Sequence, residues 1–120
     1  MKNHTRRAIA IIAASVINKQ QYSSVYDYID SKYHSISCDI SSGNVNAYDY
    51  ELKCYITGNV NSDRFSLYHY GNSKQVELDI KKMHFEGHDH DSKKNFSGEV
   101  KGSSISVYDY ELSKNFNYSV

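Results

Sequence analysis

Five triplets with an aromatic ring on each side of a polar residue recur along the chain, and their spacing leaves few folds open. Tyr26-Asp27-Tyr28, Tyr48-Asp49-Tyr50, Tyr68-His69-Tyr70, His88-Asp89-His90 and Tyr108-Asp109-Tyr110 follow one another at steps of 22, 20, 20 and 20 residues. A fixed period of this length means that one supersecondary unit is copied around an axis or along a line. Cut at Val45, Phe65, Phe85 and Ile105, the units align column by column. The first starts near Ser23 and carries two extra residues between Tyr28 and Ile36. An even insertion keeps strand parity, so it fits a lengthened turn.

The second half of each unit alternates strictly. Ile36, Cys38, Ile40; Ile56, Gly58, Val60; Val76, Leu78, Ile80; Phe96, Gly98, Val100; and Phe116, Tyr118, Val120 share one face, with polar residues between them. Period two with one polar face is the mark of a half-buried strand. The first halves are rich in Tyr, Val and Phe, which suits strands too. Short polar connections separate the halves and the units, so each unit reads as a β-hairpin. Five hairpins give ten antiparallel strands. Closing them into a barrel of approximate five-fold symmetry removes the two edges an open sheet would leave.

Loop parity decides where the tyrosines point. A two-residue loop at 53–54 would pair Leu52 with Tyr55 and set Asp49 opposite Gly58. A four-residue link at 61–64 pairs Val60 with Phe65. Even loops put every aliphatic column, and the Asp column, inside, with the tyrosines outside. Odd loops would instead lay Tyr48 across Gly58. Even loops gather the apolar columns on one side and are the expectation.

Residues 1–22 stand apart from the repeats at 23–120, all within a single domain. The segment Ala8–Ile17 is Ala- and Ile-rich, preceded by Arg6 and Arg7. Three readings are open to it. It is too short to span a bilayer, which takes about 20 apolar residues. As a secretory signal it has a basic start but a poor cleavage site. As a helix apolar all round it must be buried, and a ten-stranded barrel with inward columns as small as Ala47, Gly58, Gly87 and Gly98 has room for it. A plug is the leading expectation, ahead of a signal or anchor and of a partner-binding helix. A cytoplasmic location goes with the plug, a membrane-associated or exported one with the alternatives. In the plug reading Arg6 and Arg7 would reach the inward acidic ring of Asp27, Asp49, Asp89 and Asp109 and neutralise it.

The repeated YDY hairpins, from Tyr26-Asp27-Tyr28 to Tyr108-Asp109-Tyr110, resemble those of the β-flower proteins, a group of short bacterial sequences. The resemblance covers residues 23–120. It implies a shallow, rotationally symmetric barrel of hairpin petals with an apolar centre, similar overall to Tubby-type barrels. Tubby-type domains bind membrane phosphoinositides, but no stretch here matches a basic phosphoinositide pocket. The family carries no settled activity.

The chemistry candidates are few. Net charge is zero, from 14 basic and 14 acidic residues, so no general attraction to nucleic acid is built in. Two cysteines, Cys38 and Cys54, fall at different heights on the hairpins and are not expected to pair. His88 and His90 share a strand face and are the metal-ligand candidates, with His84 near them in sequence. Because they occupy tyrosine columns, the simpler account is one ring replacing another. Tyr26, Tyr28, Tyr48, Tyr50, Tyr68, Tyr70, Tyr108 and Tyr110 are the ligand-binding candidates, with cross-strand packing as the structural account. No triad, dyad or phosphate loop points to catalysis, and no cofactor is implied. The expectation is a non-enzymatic binding or scaffold module of unspecified ligand. The alternative is a peripheral membrane or lipid-binding module using the apolar helix or the barrel centre.

Overall fold

The computed structural model describes residues 1–120. Helix α1 (Asn3–Asn18) precedes ten strands: β1 (Ser24–Asp27), β2 (Lys32–Ser41), β3 (Asn44–Asp49), β4 (Cys54–Asn61), β5 (Arg64–His69), β6 (Lys74–Lys81), β7 (His84–Asp89), β8 (Lys94–Lys101), β9 (Ser104–Asp109) and β10 (Lys114–Ser119). Every strand pairs antiparallel with its neighbours in sequence, and β10 returns to β1, so the sheet is a closed barrel. This is the five-hairpin architecture the repeat implies, and it is compatible with a β-flower-like fold.

Two details of the register differ from the sequence reading. Asp49 faces Cys54, Ala47 faces Ile56 and Val45 faces Gly58. The turn within the second hairpin is therefore Tyr50 to Lys53, four residues rather than two, and Cys54 begins a strand. The parity is still even, so the inward and outward faces stand as expected. The error arose because Tyr50 and Leu52 look like strand residues, while the turn is dictated by the preceding Asp. The second difference concerns the two extra residues of the first unit. Its turn, 28–31, has the common length, and β2 has ten residues where β4, β6 and β8 have eight. The insertion lengthens a strand and adds one inward position, His34.

The links between hairpins are also shorter than expected: at 61–64 the pairing Val60–Phe65 stands, but Asn61 pairs with Arg64 as well, leaving a two-residue turn at 62–63. The four-residue turns each end on a residue in the left-handed region: Ser31, Lys53, Ser73, Lys93 and Ser113. That placement completes a tight reversal built around a type I turn.

Helix α1 runs through the barrel. Ala8 to Ala14 are all at most 2% exposed, although the helix has no sheet face to dock against from outside. Its residues share one core with Val25, Ile36, Leu67, Leu78, Phe96, Val107 and Tyr118 from around the wall. Small inward residues make the space. A Cβ at Gly98 would strike the carbonyl oxygen of Ser106 and lie 2.5 Å from Cζ of Phe85. Phe85 opposes Gly98, and Phe96 opposes Gly87, so each ring covers the glycine across from it. The helix ends where Lys19 takes a left-handed conformation and the Gln20 amide donates to the Ser15 carbonyl.

Filling the barrel with a helix has a measurable signature. Ile12→Ala should cost about 2–5 kcal/mol, as expected for a cavity in a closed core. Ile17→Ala, at the partly open end of the same helix, should cost much less. Urea unfolding of the two variants compares them directly, and equal losses would contradict a helix enclosed from Ala8 to Ala14.

Candidate functional site

Each triplet divides its three side chains between two environments. The central residue points inward: Asp27, Asp49, Asp89, Asp109 and His69 are all at most 2% exposed. The flanking rings lie outside and meet edge to face, with centroids 4.9 Å apart in Tyr26–Tyr28, Tyr48–Tyr50 and His88–His90, and 4.8 Å in Tyr68–Tyr70 and Tyr108–Tyr110.

The inward acids fix the turns that follow them. Oδ1 of Asp27, Asp49, Asp89 and Asp109 accepts the amide N–H two residues on, from Ile29 (2.9 Å), Glu51 (3.0 Å), Asp91 (3.1 Å) and Glu111 (2.9 Å). In the third hairpin Nδ1 of His69 accepts from the Asn72 amide at 3.3 Å. The four Asp-based reversals are Asx-type turns, which explains why a short acid ends four of the five first strands.

The N-terminal end of α1 meets this ring, and two of the four acids take up its arginines. Arg6 Nη1 donates to Asp109 Oδ2 at 2.7 Å and to the Met1 carbonyl at 2.5 Å, while the guanidinium lies 3.7 Å over the Phe116 ring. The Met1 ammonium is 3.1 Å from the same Asp109 oxygen. Arg7 Nη1 donates to Asp27 Oδ2 at 3.3 Å. The neutralised ring anticipated from sequence is therefore half a ring. Asp49 and Asp89 receive no arginine, because two side chains on adjacent positions of one helix cannot reach all sides of a barrel. Arg6 Nε also donates to the Tyr118 hydroxyl at 3.3 Å, and burial pushes that phenol up to about 12 despite the guanidinium beside it.

The third hairpin answers with neutral groups. His69 lies against His4, with ring centroids 5.1 Å apart, and Asn72 bridges to the helix: its Oδ1 is 2.8 Å from His4 Nε2 and its Nδ2 donates to Thr5 Oγ1 at 2.8 Å. Burial first, and the neighbouring His4 second, pull the His69 pKa down to about 4, against the opposing pull of Asp49 and Asp89.

The extra inward position, His34, forms a closed polar cluster at the same rim. Its Nδ1 is 2.6 Å from Glu51 Oε1 and its Nε2 is 2.8 Å from Asp30 Oδ2. Burial raises the Asp30 pKa, but the hydrogen bond and charge of His34 together outweigh it and leave the carboxyl below its ordinary value. Asp27, Asp30 and His34 bring ligand-type atoms within 4.8 Å of one another. Both His34 nitrogens already face carboxylates, however, and Arg7 holds Asp27, so the ligand atoms of this cluster are already partnered. Only the two-residue insertion hints at it in the residues alone.

The outer wall carries the remaining candidates. Tyr48, Tyr50 and Tyr55 line an open groove of about 510 Å³ with Ser37, Asp39, Asn46 and Lys53. Forty residues on, the matching groove of about 300 Å³ is lined by Glu77, Asp79, Glu86, His88, Asn95 and Ser97. His84 is not part of it as a partner of His88 and His90: it sits at the opposite end of β7, 3.7 Å from Glu99. Cys38 and Cys54 are free, and burial pushes the Cys38 thiol up to about 11, which removes it as a nucleophile at neutral pH.

No protein-family model matches the chain, and no curated protein or solved structure matches it significantly.

The depressed His69 pKa has a defined consequence for stability. Its unfolded value is the ordinary 6.5. Its contribution is therefore fully present above pH 6.5 and is lost as pH falls toward about 4, because the unfolded chain binds the proton first. Between pH 7 and pH 5 this amounts to about 2 kcal/mol. Urea midpoints of His69→Asn at the two pH values should show a correspondingly smaller acid loss than the unsubstituted chain; identical losses would contradict the assignment.

Proposed function

We propose that this chain is a non-enzymatic binding module that uses its outer wall, and that its ligand is a saccharide. One observation carries the reading: the aromatic pairs stand outside, beside grooves edged with hydroxyl, amide and carboxylate groups, while the barrel interior is filled by α1. Tyr50 is 56% exposed and Tyr55 is 51% exposed, so their faces are open to a partner. A flat aromatic face with polar arms around it suits a ligand that has one apolar face and a polar rim, which is the chemistry of a sugar ring. A hydrophobic ligand would need the centre that the helix occupies. The β-flower resemblance agrees with this reading through the closed hairpin barrel, and it brings no activity of its own.

A second reading rests on the turn end of the barrel. Tyr28, Ile29, Tyr50, Leu52, Tyr70, Tyr110 and Leu112 are exposed at the turn tips there. Lys32, Lys53, Lys74, Lys93, Lys94 and Lys114 lie beside them. Such a rim suits peripheral contact with a lipid surface. On this reading the contact would fall to the turns, since the apolar helix is enclosed and no helix is long and apolar enough to cross a membrane.

An immobilised glycan panel tests the first reading. The full chain should be retained on at least one glycan class, and Tyr55→Ala should weaken retention at least about tenfold, or roughly 1.4 kcal/mol. Retention on no glycan, with flotation on anionic vesicles, would replace it by the second reading.

A further inference from the structure

The repeat supplies its own control for every position, because four sister hairpins show what the fold alone asks of a column. The third and fourth hairpins depart from their sisters in neighbouring columns of the adjacent strands β6 and β7. His88 and His90 stand where the others have Tyr26 and Tyr28, Tyr48 and Tyr50, Tyr68 and Tyr70, or Tyr108 and Tyr110. Glu77, directly across from His88, stands where Tyr48, Tyr68 and Tyr108 face Ser37, Thr57 and Ser97. Glu86, on the same outer face, stands where the sister strands carry Asn46, Ser66 and Ser106. A ring replacing a ring accounts for the histidines alone. It leaves unexplained why both carboxylates gather beside them.

Two of the donors already stand side by side, and the third is on the neighbouring ring. Nδ1 of His88 lies 2.7 Å from Oδ1 of Asn95. An amide oxygen accepts, so Nδ1 carries the proton and Nε2 presents its lone pair. This is the outer hydrogen bond that commonly orients a ligating imidazole. Nε2 of His90 is shielded from solvent and makes no hydrogen bond, and it lies 3.9 Å from Oε2 of Glu77. Two donors on one tetrahedral zinc stand about 3.3 Å apart, given bonds near 2.0–2.1 Å. His88 packs edge to face on His90, ring centroids 4.9 Å apart, and its Nε2 must turn toward the other two donors for all three to meet on one ion. Glu86 adds negative charge, and the nearest arginine, Arg64, is occupied by Asp79 at 2.8 Å.

We propose that His88, His90 and Glu77 form a surface site for one divalent transition-metal ion of the zinc type, with a position left open to solvent. Two imidazoles and one carboxylate favour such borderline ions over calcium or magnesium, which prefer all-oxygen shells. The site is independent of the saccharide reading, since His88 and His90 take the place of the tyrosine pair that the other hairpins present.

The sister hairpins also provide the variants. Each of His88→Tyr, His90→Tyr and Glu77→Thr installs a residue that the fold already accepts in that column. Equilibrium dialysis of the full chain against Zn²⁺ should give one ion per chain. The double variant His88→Tyr/His90→Tyr, and separately Glu77→Thr, should bind at least about tenfold more weakly with an unchanged melting temperature. His84→Asn should bind as the unsubstituted chain does. Ring-nitrogen shifts of His88 and His90 on Zn²⁺ addition to the unsubstituted chain report the ligands directly, whether or not a variant folds. No stoichiometric zinc, undiminished zinc in the double variant, or unshifted His88 and His90 ring nitrogens would overturn the proposal.

Discussion

A ten-stranded barrel cannot fill itself, and the structure depends on how that space is taken up. Eight strands close around their own side chains, whereas ten leave a gap along the axis. Here an Ala- and Ile-rich helix occupies it, and the inward columns of the wall are correspondingly small. Helix and wall each leave apolar surface that only the other covers. Neither is a finished unit: the helix without the barrel is an exposed apolar segment, and the barrel without the helix encloses an apolar void.

The polar end of this plug shows how an asymmetric element fits a near-symmetric socket. All five hairpins end their first strand with an inward acceptor that fixes a turn, Asp in four and His in one. That duty is local and the same in every copy. The helix then breaks the symmetry, since Arg6 and Arg7 meet Asp109 and Asp27 while His4 and Thr5 meet the third hairpin through His69 and Asn72. Burial keeps His69 uncharged at neutral pH on the side that Arg6 and Arg7 do not reach, where another buried acid would have lacked an arginine. The longer β2 adds His34 beside the Arg7 side, and its two carboxylate partners extend the same rim.

Duplication also separates what a residue does for the fold from what it adds. Where all five copies agree, as in the inward acceptors and left-handed turn residues, the fold is sufficient reason. Where adjoining strands of two copies depart in several neighbouring columns at once, a local purpose is the more economical reason. The tyrosine-walled groove of the second hairpin and the His- and Glu-lined groove of the fourth occupy matching positions on the barrel, yet they offer stacking faces in one place and ligand atoms in the other.

Strand count, closure, inward columns and the enclosed helix were legible in the residues, because period and parity are local properties that survive whatever packs on them. The outward direction of Tyr48 followed from even loops of any length. Loop length itself did not follow, since Tyr50 and Leu52 have strand character and only the Asp49 bond to the next amides makes them a turn. The sequence likewise showed four acids and two arginines at one level, but which acids meet the arginines depends on the rotation of the helix within the barrel. His34 could not be placed at all from its neighbours, because an insertion of two reads the same in a turn as in a strand. Pairing around the barrel decided it, by fixing the stagger between the first hairpin and the second.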